Sequence, residues 1–491
     1  MLLFASLLVP IAASIAALAA RDVRTLGRWA VAASGIGAVG FGTVAVLVFA
    51  RGPLWVGDLW MVDRFAALMI ALVQVIWVCA AAASTRYIGE EHRVGLLSLY
   101  KVRGYYALLP LFVLAMLVAV TTDHLGVLWI ALEATTLTTT PLVALYKKDG
   151  AIEAAWKYLL LCSIGISVSL LGMLLLAYAG VGAGLPVDRA LSLSALRAIA
   201  PRLNPQVVRW AFVFLFVGIG AKVGFVPMHP WLPDAHSRTP SPISAALSGV
   251  LLNVALYALV RARGVVDLAL GQSGWTSGFF LAFGLVSVLF AAFVLIHQQN
   301  YKRLLAYSSV EHMGLTAFAL AMGPAGAAAA VMHMVGHTLA KSSLFFSAGE
   351  ILLATHTTKI ANIRQLFRTA PRTSLVFLLA FLGLFGMPTS AVFASELTML
   401  LAAGRRSPAA AIAVVVALAM VTIGVLHQVF GMLFARGESG EPVERRHEPW
   451  QTTHTVVAVE LTLLFAAGIF FVTTPGYEWA ASIARVFTLQ P

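Results

Sequence analysis

The chain consists almost wholly of apolar stretches about as long as a lipid bilayer is thick. Crossing the hydrocarbon layer, roughly 30 Å, takes about 20 residues of α-helix. Hydrophobic residues make up 60% of the 491 positions and charged residues only 11%. Because a water-soluble fold has no means of covering so much apolar surface, the sequence predicts an all-α polytopic membrane protein that forms a single membrane domain.

Fourteen of these stretches are long enough to span the bilayer, and no linker or low-complexity segment divides them. The first resembles a secretory signal near Ala17 to Ala19, but no basic segment precedes it, so we expect it to be retained as a helix. The predicted spans lie near residues 1–20, 29–49, 62–84, 105–121, 124–146, 154–179, 207–229, 240–261, 275–296, 303–323, 325–354, 373–403, 409–436 and 453–473.

The basic residues predict how the chain is oriented. The net charge is +12, but Lys and Arg lie in short loops and form no run that would indicate nucleic-acid binding. Loops assigned to the inner side carry more of them than the outward loops, which predicts that both termini lie outside. We expect the membrane to be the cytoplasmic (inner) membrane of a bacterium or an archaeon. Cys79 and Cys162 both fall inside spans, so neither a disulfide framework nor an iron–sulfur site is predicted.

Two of the predicted spans contain proline breaks. Span seven runs into Pro227, Pro230 and Pro233, and span twelve carries Gly386 and Pro388 in its middle. Proline removes a backbone donor, and the freed polar groups are tolerated inside a membrane only where protein or a water-filled cavity satisfies them. One interrupted helix in each half of the chain indicates two inverted repeats with an ion path near the membrane midplane.

Among the ionisable residues inside predicted spans, four lie in separate spans and away from the span ends, namely Glu133, Lys222, Lys341 and Glu396. Each costs roughly 2.5–3.5 kcal/mol or more in a lipid environment, so each needs a partner, water or a function. The alternative is a set of structural ion pairs or charges satisfied by backbone carbonyls. Their occurrence in separate spans, two of them beside breaks, favours a proton path in which Glu133 lies near Lys222 and modulates its charge.

His333, His337 and Lys341 are spaced i, i+4 and i+8, which places them on one helix face over about 12 Å. This spacing predicts a polar stripe inside the membrane. Interhelical hydrogen bonding and metal binding are alternatives, but no third ligand lies at motif spacing. We therefore predict neither a metal nor a cofactor.

Further polar residues predict a relay and an entrance. Glu311 and His312 are candidates for a bridge between the two halves, with a helix-end pair as the alternative. His229, Asp234 and His236 lie in an inward loop, where a proton entrance and simple loop capping are both open. We expect four charges near predicted helix ends to extend to the membrane surface, namely Glu153, Lys157, Glu350 and Glu460.

Several segments resemble a known family, namely WIALEATTLTTTPLVALYKKDGAIEAAWKYLLL, GAKVGFVPMHPWLPDAHSRTPSPISAALSGVLLNVALYAL, YKRLLAYSSVEHMG and HTLAKSSLFFSAGE. The family contains the antiporter-like subunits of respiratory complex I, of multisubunit sodium/proton antiporters and of energy-converting nickel–iron hydrogenases. The resemblance covers roughly residues 100–400. It implies fourteen helices with two inverted five-helix repeats, in which helices seven and twelve are broken. The implied divisions are 1–104 (helices 1–3), 105–261 (repeat one, helices 4–8), 275–436 (repeat two, helices 9–13) and 453–473 (helix 14).

The resemblance also assigns residues to roles in proton translocation. Glu133 and Lys222 match the family's helix-five glutamate and helix-seven lysine. His337 and Lys341 match its helix-eleven pair, and Glu396 takes the helix-twelve position.

Two positions depart from many complex I members. Asn253 stands where a titratable residue is usual, and Glu311 stands where serine is common. Together with the LEATTL motif, these variants resemble component F of the hydrogenase-4 and formate hydrogenlyase type. Asparagine can hold water but cannot store a proton, so Asn253 interrupts an otherwise titratable path.

The resemblance implies an antiporter-like proton-translocating subunit of a membrane-bound redox complex, an energy-converting hydrogenase or a complex I-like enzyme. No motif for an electron carrier is present, so redox chemistry is expected in partner subunits. The implied partners are other membrane subunits, soluble redox subunits, lipids and protons, with sodium as the alternative ion and no nucleic acid. Competing hypotheses are a stand-alone or multisubunit sodium/proton antiporter module, a membrane partner in inorganic-carbon uptake, and a structural scaffold.

Overall fold

A computed structural model describes residues 1–147, 149–435 and 447–488, without the side chain of Asp149. Lys148, which falls in one of the quoted segments, and residue 436, the end of the predicted second repeat, lie outside the described residues. The chain is nearly all-α, as predicted. A small antiparallel hairpin joins strands β1 (Leu54–Val56) and β2 (Trp60–Val62).

The first six helices are long, and side-chain caps start several of them. Asp22, Asp63 and Ser98 accept hydrogen bonds from backbone amides in the first turns of α2 (Val23–Arg51), α3 (Arg64–Arg93) and α4 (Leu99–Thr121), which satisfies donors that have no partner within the helix. The helices are α1 (Leu2–Ala19), α2 (Val23–Arg51), α3 (Arg64–Arg93), α4 (Leu99–Thr121), α5 (Leu125–Val143) and α6 (Asp149–Gly182).

The next segment contains the first break. Predicted span seven, 207–229, extends too far, because its helix ends at Val223. Gly224 adopts φ +87°, a left-handed conformation that ends helices, and the proline-rich residues after it form a separate short helix. The helices are α7 (Leu193–Ala198), α8 (Pro205–Val223), α9 (Trp231–Arg238), α10 (Ser241–Ala246) and α11 (Leu252–Leu270), with a π-helical turn at Leu247–Leu251 and 3₁₀ turns at Val187–Arg189 and Ala200–Arg202.

The remaining helices include the second break. Predicted span twelve consists of two helices, α16 and α17, which are separated at Gly386 and Pro388 as the sequence indicated. The helices are α12 (Gly274–Leu295), α13 (Tyr301–Ala321), α14 (Gly323–Thr355), α15 (Leu366–Thr369), α16 (Pro371–Leu384), α17 (Ala391–Arg406), α18 (Pro408–Phe434), α19 (Thr452–Phe471) and α20 (Thr474–Ala484), with a 3₁₀ turn at Ile360–Asn362.

In the part of the chain that the structure describes, eleven helices are long and apolar enough to cross a membrane. The continuous helix from Ser241 to Leu270 is entirely enclosed by other helices. Many helices at the periphery, such as α18, expose large apolar side chains, as expected of surfaces that face lipid. Helices α13 and α14 are not among the eleven and carry most of the buried His, Lys and Glu side chains.

Two pairs of helices meet at glycines. A side chain at Gly218 of α8 would lie 2.5 Å from the carbonyl oxygen of Gly165 in α6. A side chain at Gly314 of α13 would likewise lie 2.9 Å from the carbonyl oxygen of Gly284 in α12. Close backbone approach of this kind is typical of helix packing in membranes, where small residues line the contact.

Candidate functional site

The structure places the buried Lys222 near the half-buried Glu133, but not in direct contact with it. The Lys222 ammonium is fully buried and donates to the hydroxyl oxygen of Thr136 at 2.5 Å. Glu133, three residues before Thr136 on α5, accepts a hydrogen bond from Ser163 of α6. Each member of the expected pair therefore hydrogen-bonds to its own hydroxyl side chain, and the two groups lie within electrostatic range of each other.

The end of α8 contributes to holding Lys222. The lysine occupies the last turn of the helix, two residues before the left-handed Gly224. Helix C-termini carry a partial negative charge, which favours a nearby cation. The break therefore positions the ammonium group where the protein offers both a hydroxyl acceptor and a favourable backbone dipole.

The three residues of the predicted entrance lie in different environments. Asp234 is partly exposed and forms ion pairs with Lys157 and Arg303, both at 3.3 Å. Among the described residues, neither ring nitrogen of the fully buried His236 has a hydrogen-bond partner. His229 is buried and packs against Phe290. Asp234 thus belongs to a surface ion cluster, whereas His236 lies inside, within electrostatic range of Lys341.

Asn253 bridges the two halves of the molecule. Its side-chain amide donates to the hydroxyl of Thr338 in α14 at 2.9 Å and is 3.3 Å from the carbonyl oxygens of Met334 and Gly249. The π-helical turn that ends at Leu251 lies directly before it, and such turns leave backbone carbonyls off the regular helix ladder. The non-titratable position is therefore a fully buried hydrogen-bonding junction.

Three histidines from two helices form the centre of the second half. His333 is hydrogen-bonded through both ring nitrogens, at Nε2 to Nδ1 of His312 at 3.0 Å and at Nδ1 to the hydroxyl of Ser395 at 2.9 Å. The ring of His337 lies 5.5 Å from that of His312. The predicted stripe on α14 is thus joined to α13 on one side and to α17 on the other.

Lys341 and Glu311 lie next to this histidine cluster. The Lys341 ammonium donates to the carbonyl oxygen of Leu305 at 2.8 Å and to the hydroxyl of Ser308. Glu311 is fully buried, and neither of its oxygens has a hydrogen-bond partner among the described residues. It lies within electrostatic range of both Lys341 and Glu396. Glu311 therefore interacts electrostatically with both the lysine of α14 and the acid of α17.

Glu396 lies in the second turn of α17, beside the helix break. Its Oε2 is 2.7 Å from the point that a Cβ atom at Gly386 would occupy. The side chain is only partly enclosed, in contrast to Lys341 and the histidines. The structure shows two groups, the pair of Glu133 and Lys222 and the second group around α14. We use the name central row for the two groups together: Glu133, Lys222, Asn253, His312, Glu311, His333, His337, Lys341 and Glu396.

Two acids that were expected to reach the membrane surface are buried instead. Glu460 is fully buried and Glu350 is 6% exposed, so the expectation drawn from their distance to predicted helix ends was wrong for both. Packing of α19 against α14 and α3 covers them. Glu153 and Lys157 do form an exposed pair, with 2.5 Å between Oε1 and Nζ.

Sequence reasoning also missed two buried ion pairs on α11. Arg261 contacts Asp63 at 2.5 Å, and Arg263 contacts Asp267 at 3.1 Å. Two arginines near the end of a predicted span were the available signal. Each is paired within a few ångströms, so these residues fit a structural role in anchoring α11.

The chemistry available in the central row is proton transfer. An imidazole accepts a proton at one ring nitrogen and releases one from the other, and His333 is hydrogen-bonded at both. Carboxyl and ammonium groups at the two ends store a proton, and hydroxyl groups orient them. The arrangement therefore contains the components of a relay that runs within the membrane.

Residues 122–422 match the family described as NADH:quinone oxidoreductase/Mrp antiporter, TM. The chain belongs to this family. A hydrogenase-4 component F homolog of Methylacidiphilum infernorum is 36% identical over 433 residues, which cover 86% of this chain and 87% of that protein. NADH-quinone oxidoreductase subunit N of Desulforudis audaxviator is 29% identical, over 81% of this chain and 77% of that protein.

A solved relative has the same fold over nearly its full length. A chain of the membrane-bound sulfane sulfur reductase, an archaeal respiratory membrane complex, superposes with a TM-score of 0.84 at 25% identity, over 99% of this chain and 96% of that chain. The predicted family and fold class are therefore confirmed, and the chain is an integral, antiporter-like membrane protein of the NADH:quinone oxidoreductase/Mrp antiporter family. Its solved relative works within a multisubunit membrane complex.

Proposed function

We propose that the chain is the proton-translocating, antiporter-like subunit of a membrane-bound redox complex. The observation that carries the proposal is the double hydrogen bonding of His333, which joins α13 to α17 through one imidazole in the protein interior. A buried ring with a partner at each nitrogen is suited to moving a proton from one to the other. The similarity to a hydrogenase-4 component F homolog favours an energy-converting nickel–iron hydrogenase, with a complex I-like enzyme as the second possibility.

The proposed path begins at the inward side. Protons enter beside His229, Asp234 and His236, and reach the site formed by Lys222 and Glu133. Glu133 modulates the charge of the lysine, and a change in the Ser163 and Thr136 contacts allows Lys222 to release its proton. Because Asn253 cannot hold a proton, it transmits through water and through its hydrogen bond to Thr338.

The second part of the path leads outward. Lys341 receives the proton and passes it to the cluster of His337, His312 and His333. Ser395 then connects the cluster to α17, where Glu396 releases the proton beside the helix break. Glu311 acts as a relay between Lys341 and Glu396, since it lies within electrostatic range of both.

The driving energy in this proposal comes from partner subunits. Electron transfer in soluble redox subunits changes the charge at the membrane subunits, and neighbouring membrane subunits transmit the change to the central row. The chain itself carries no redox centre in this proposal, and it lies in a cytoplasmic (inner) membrane of a bacterium or archaeon with both termini outside. Residues 105–261 and 275–436 form the two inverted repeats, and each contains one broken helix.

The test is to neutralise one end of the path at a time. Lys222→Met and Glu396→Gln are introduced into the complex isolated in mild detergent and reconstituted in liposomes, and protons moved per electron are measured with a pH-sensitive dye. Each variant is expected to lower translocation by about tenfold or more. Wild-type ratios in both would contradict the proposal. Glu478→Gln, at an exposed position on α20, is the control.

The copurifying polypeptides decide which complex contains the chain. A nickel–iron large subunit identifies a hydrogenase, and NADH-oxidising subunits identify a complex I-like enzyme. Sodium-dependent pH changes in vesicles without any redox subunit would instead support the antiporter module, which the family description also includes.

A further inference from the structure

A second group of polar residues lies outside the central row, between α14, α3 and α19. Its innermost member is Glu460, which is fully buried. The two carboxyl oxygens accept hydrogen bonds from the hydroxyls of Ser342 and Ser343, at 2.8 and 2.9 Å, and the thiol of Cys79 also contacts the group. Among the described residues, no cation forms an ion pair with Glu460. An acid placed there without a counter-ion is costly in a membrane protein, so it calls for a functional account.

A second acid lies nearer the end of the same helices. Glu350 of α14 accepts a hydrogen bond from the hydroxyl of Thr453 in α19 at 2.7 Å. Its other oxygen is 3.8 Å from Nε of Arg86 in α3, whose side chain is 33% exposed. Glu350 is therefore buried but is connected through Arg86 to the surface of the protein.

The helices α3, α14 and α19 each contribute one residue at or near Glu460 and one residue at or near Glu350, and the two residues are equally far apart in all three helices. Cys79 and Arg86 are seven residues apart on α3, as are Ser343 and Glu350 on α14, and Thr453 and Glu460 on α19. Seven residues are two helical turns, about 10.5 Å. On α14, Ser347 lies between Ser343 and Glu350, and its hydroxyl donates to the carbonyl oxygen of Ser343 at 2.8 Å. We name Arg86, Glu350, Ser347, Ser343 and Glu460 the lateral column.

The lateral column reaches the central row through Ser342. The Ser342 hydroxyl lies 2.8 Å from both Glu460 and the carbonyl oxygen of Thr338. The hydroxyl of Thr338, a different atom of the same residue, accepts the hydrogen bond from Asn253. Because Asn253 cannot hold a proton, a proton at this junction has to be held by another side chain. Glu460 is the carboxyl group reached through Ser342.

We propose that Glu460 is a proton-carrying residue at the inner end of a lateral entry branch, which starts at Arg86 and Glu350 and joins the central row at Thr338 and Asn253. The inference rests on the proposed function in proton translocation. Glu460 accepts a proton from the side of Glu350, through Ser347 and Ser343 with one or two bridging waters. It then passes the proton by way of Ser342 and the water at Asn253 to the neutral amine of Lys341, which becomes the ammonium group, and Glu460 returns to the carboxylate. Two hydroxyl groups about one helical turn apart, roughly 5.4 Å, can be bridged by one water molecule.

The test compares Glu460→Gln with variants of the central row in the reconstituted complex. Glutamine has nearly the same shape and can still pair with Ser342 and Ser343, so assembly is expected to be retained. We expect Glu460→Gln to lower translocation by about tenfold or more and Glu460→Asp to recover part of it. Lys341→Met reports separately on the proposed function, and Glu478→Gln is the matched carboxyl control.

Infrared spectroscopy provides the readout that a structural role would not change. Transfer of the complex from H₂O to D₂O is expected to shift the carbonyl band of a neutral carboxylic acid, and this band is absent in Glu460→Gln. Glu350→Gln is expected to slow the shift severalfold. A Glu460 band that does not exchange, or wild-type translocation in Glu460→Gln together with a defect in Lys341→Met, would overturn the inference. Wild-type translocation in Lys341→Met as well would reject the proposed function itself.

Discussion

The carboxyl group of Glu396 lies against the α-carbon of Gly386, across the break between α16 and α17. Its Oε2 is only 2.7 Å from the point where a Cβ atom of residue 386 would lie. Gly386 also adopts φ +72°, in the left-handed region that glycine tolerates best. The break and the position of the acid therefore depend on the same glycine.

Gly386→Ala is expected to displace Glu396 as well as strain the backbone. The left-handed conformation costs an alanine about 1–2 kcal/mol, and the added methyl group overlaps the carboxyl oxygen. We expect a severalfold loss of translocation in liposomes while the complex still assembles. Gly404→Ala is the control, since a methyl group there meets nothing within 4 Å. Equal activity of the two variants would contradict the role of Gly386.

Thr136→Val tests the environment of Lys222. Valine keeps the shape of threonine but removes the hydroxyl that accepts from the buried ammonium, and a buried donor without a partner costs about 1–3 kcal/mol. We expect both thermal stability and translocation to fall. Thr138→Val should change neither, because the Thr138 hydroxyl donates to Ala134 in its own helix. The measurements are thermal unfolding in detergent and proton movement in liposomes.

Ser395→Ala tests the connection between the histidine cluster and α17. Loss of this hydroxyl leaves Nδ1 of His333 without its partner, so the imidazole is no longer fixed in orientation. We expect slower translocation and also a fall in thermal stability, because a buried ring nitrogen loses its partner. Ser374→Ala provides the comparison, since Ser374 is equally buried but bonds to Ala370 of its own helix. If both alanine variants translocate alike, the relay does not pass through Ser395.

Glu448 predicts a pH-dependent contribution to stability. Burial raises the pKa of its carboxyl group, but hydrogen bonds from His454, Thr373 and Arg372 outweigh this effect and hold the pKa below its usual value. A lowered pKa in the folded state stabilises the protein above the unfolded pKa of about 4.5, and this contribution is lost as the pH falls through the folded value.

The corresponding variant is Glu448→Gln. It should lower the unfolding temperature at neutral pH, and the difference from wild type should shrink as the pH falls below about 4.5. Unfolding is followed by fluorescence in detergent across a series of pH values. A difference that stays constant with pH would show that Glu448 contributes only through its shape. Glu478→Gln serves again as the control.

Hydropathy was sufficient to predict the long helices, because a membrane span has to satisfy its own backbone and present apolar side chains over about 20 residues. The prolines and Gly386 located both breaks. The hairpin β1–β2 and the short helices α7, α9 and α20 were missed, since segments of so few residues carry no periodic signal. The π-helical turn before Asn253 was also missed, because it depends on packing around a fully enclosed helix.

The ionisable residues inside the helices were identified because placing such a group in a membrane costs free energy. Their hydrogen-bond partners could not be identified in this way. Thr136, Ser163 and Ser395 decide how Lys222, Glu133 and His333 are held, yet serine and threonine are common in such helices, and tertiary packing alone selects which of them form contacts. Glu460 was misjudged for a related reason. Distance from a helix end does not indicate which face of that helix a neighbour covers.

The glycine contacts set a limit on how this protein moves. Gly218 lies one turn before Lys222, and Gly314 lies one turn after Glu311, so each backbone-to-backbone contact lies next to a titratable group. Where two main chains already touch, the two helices cannot move closer together. The larger side chains on either side of the contact also prevent the helices from sliding past each other. The helices on which these groups lie therefore act as a fixed frame. Any switching has to come from rotamers, bound solvent and the short unwound segments, over distances of a few ångströms.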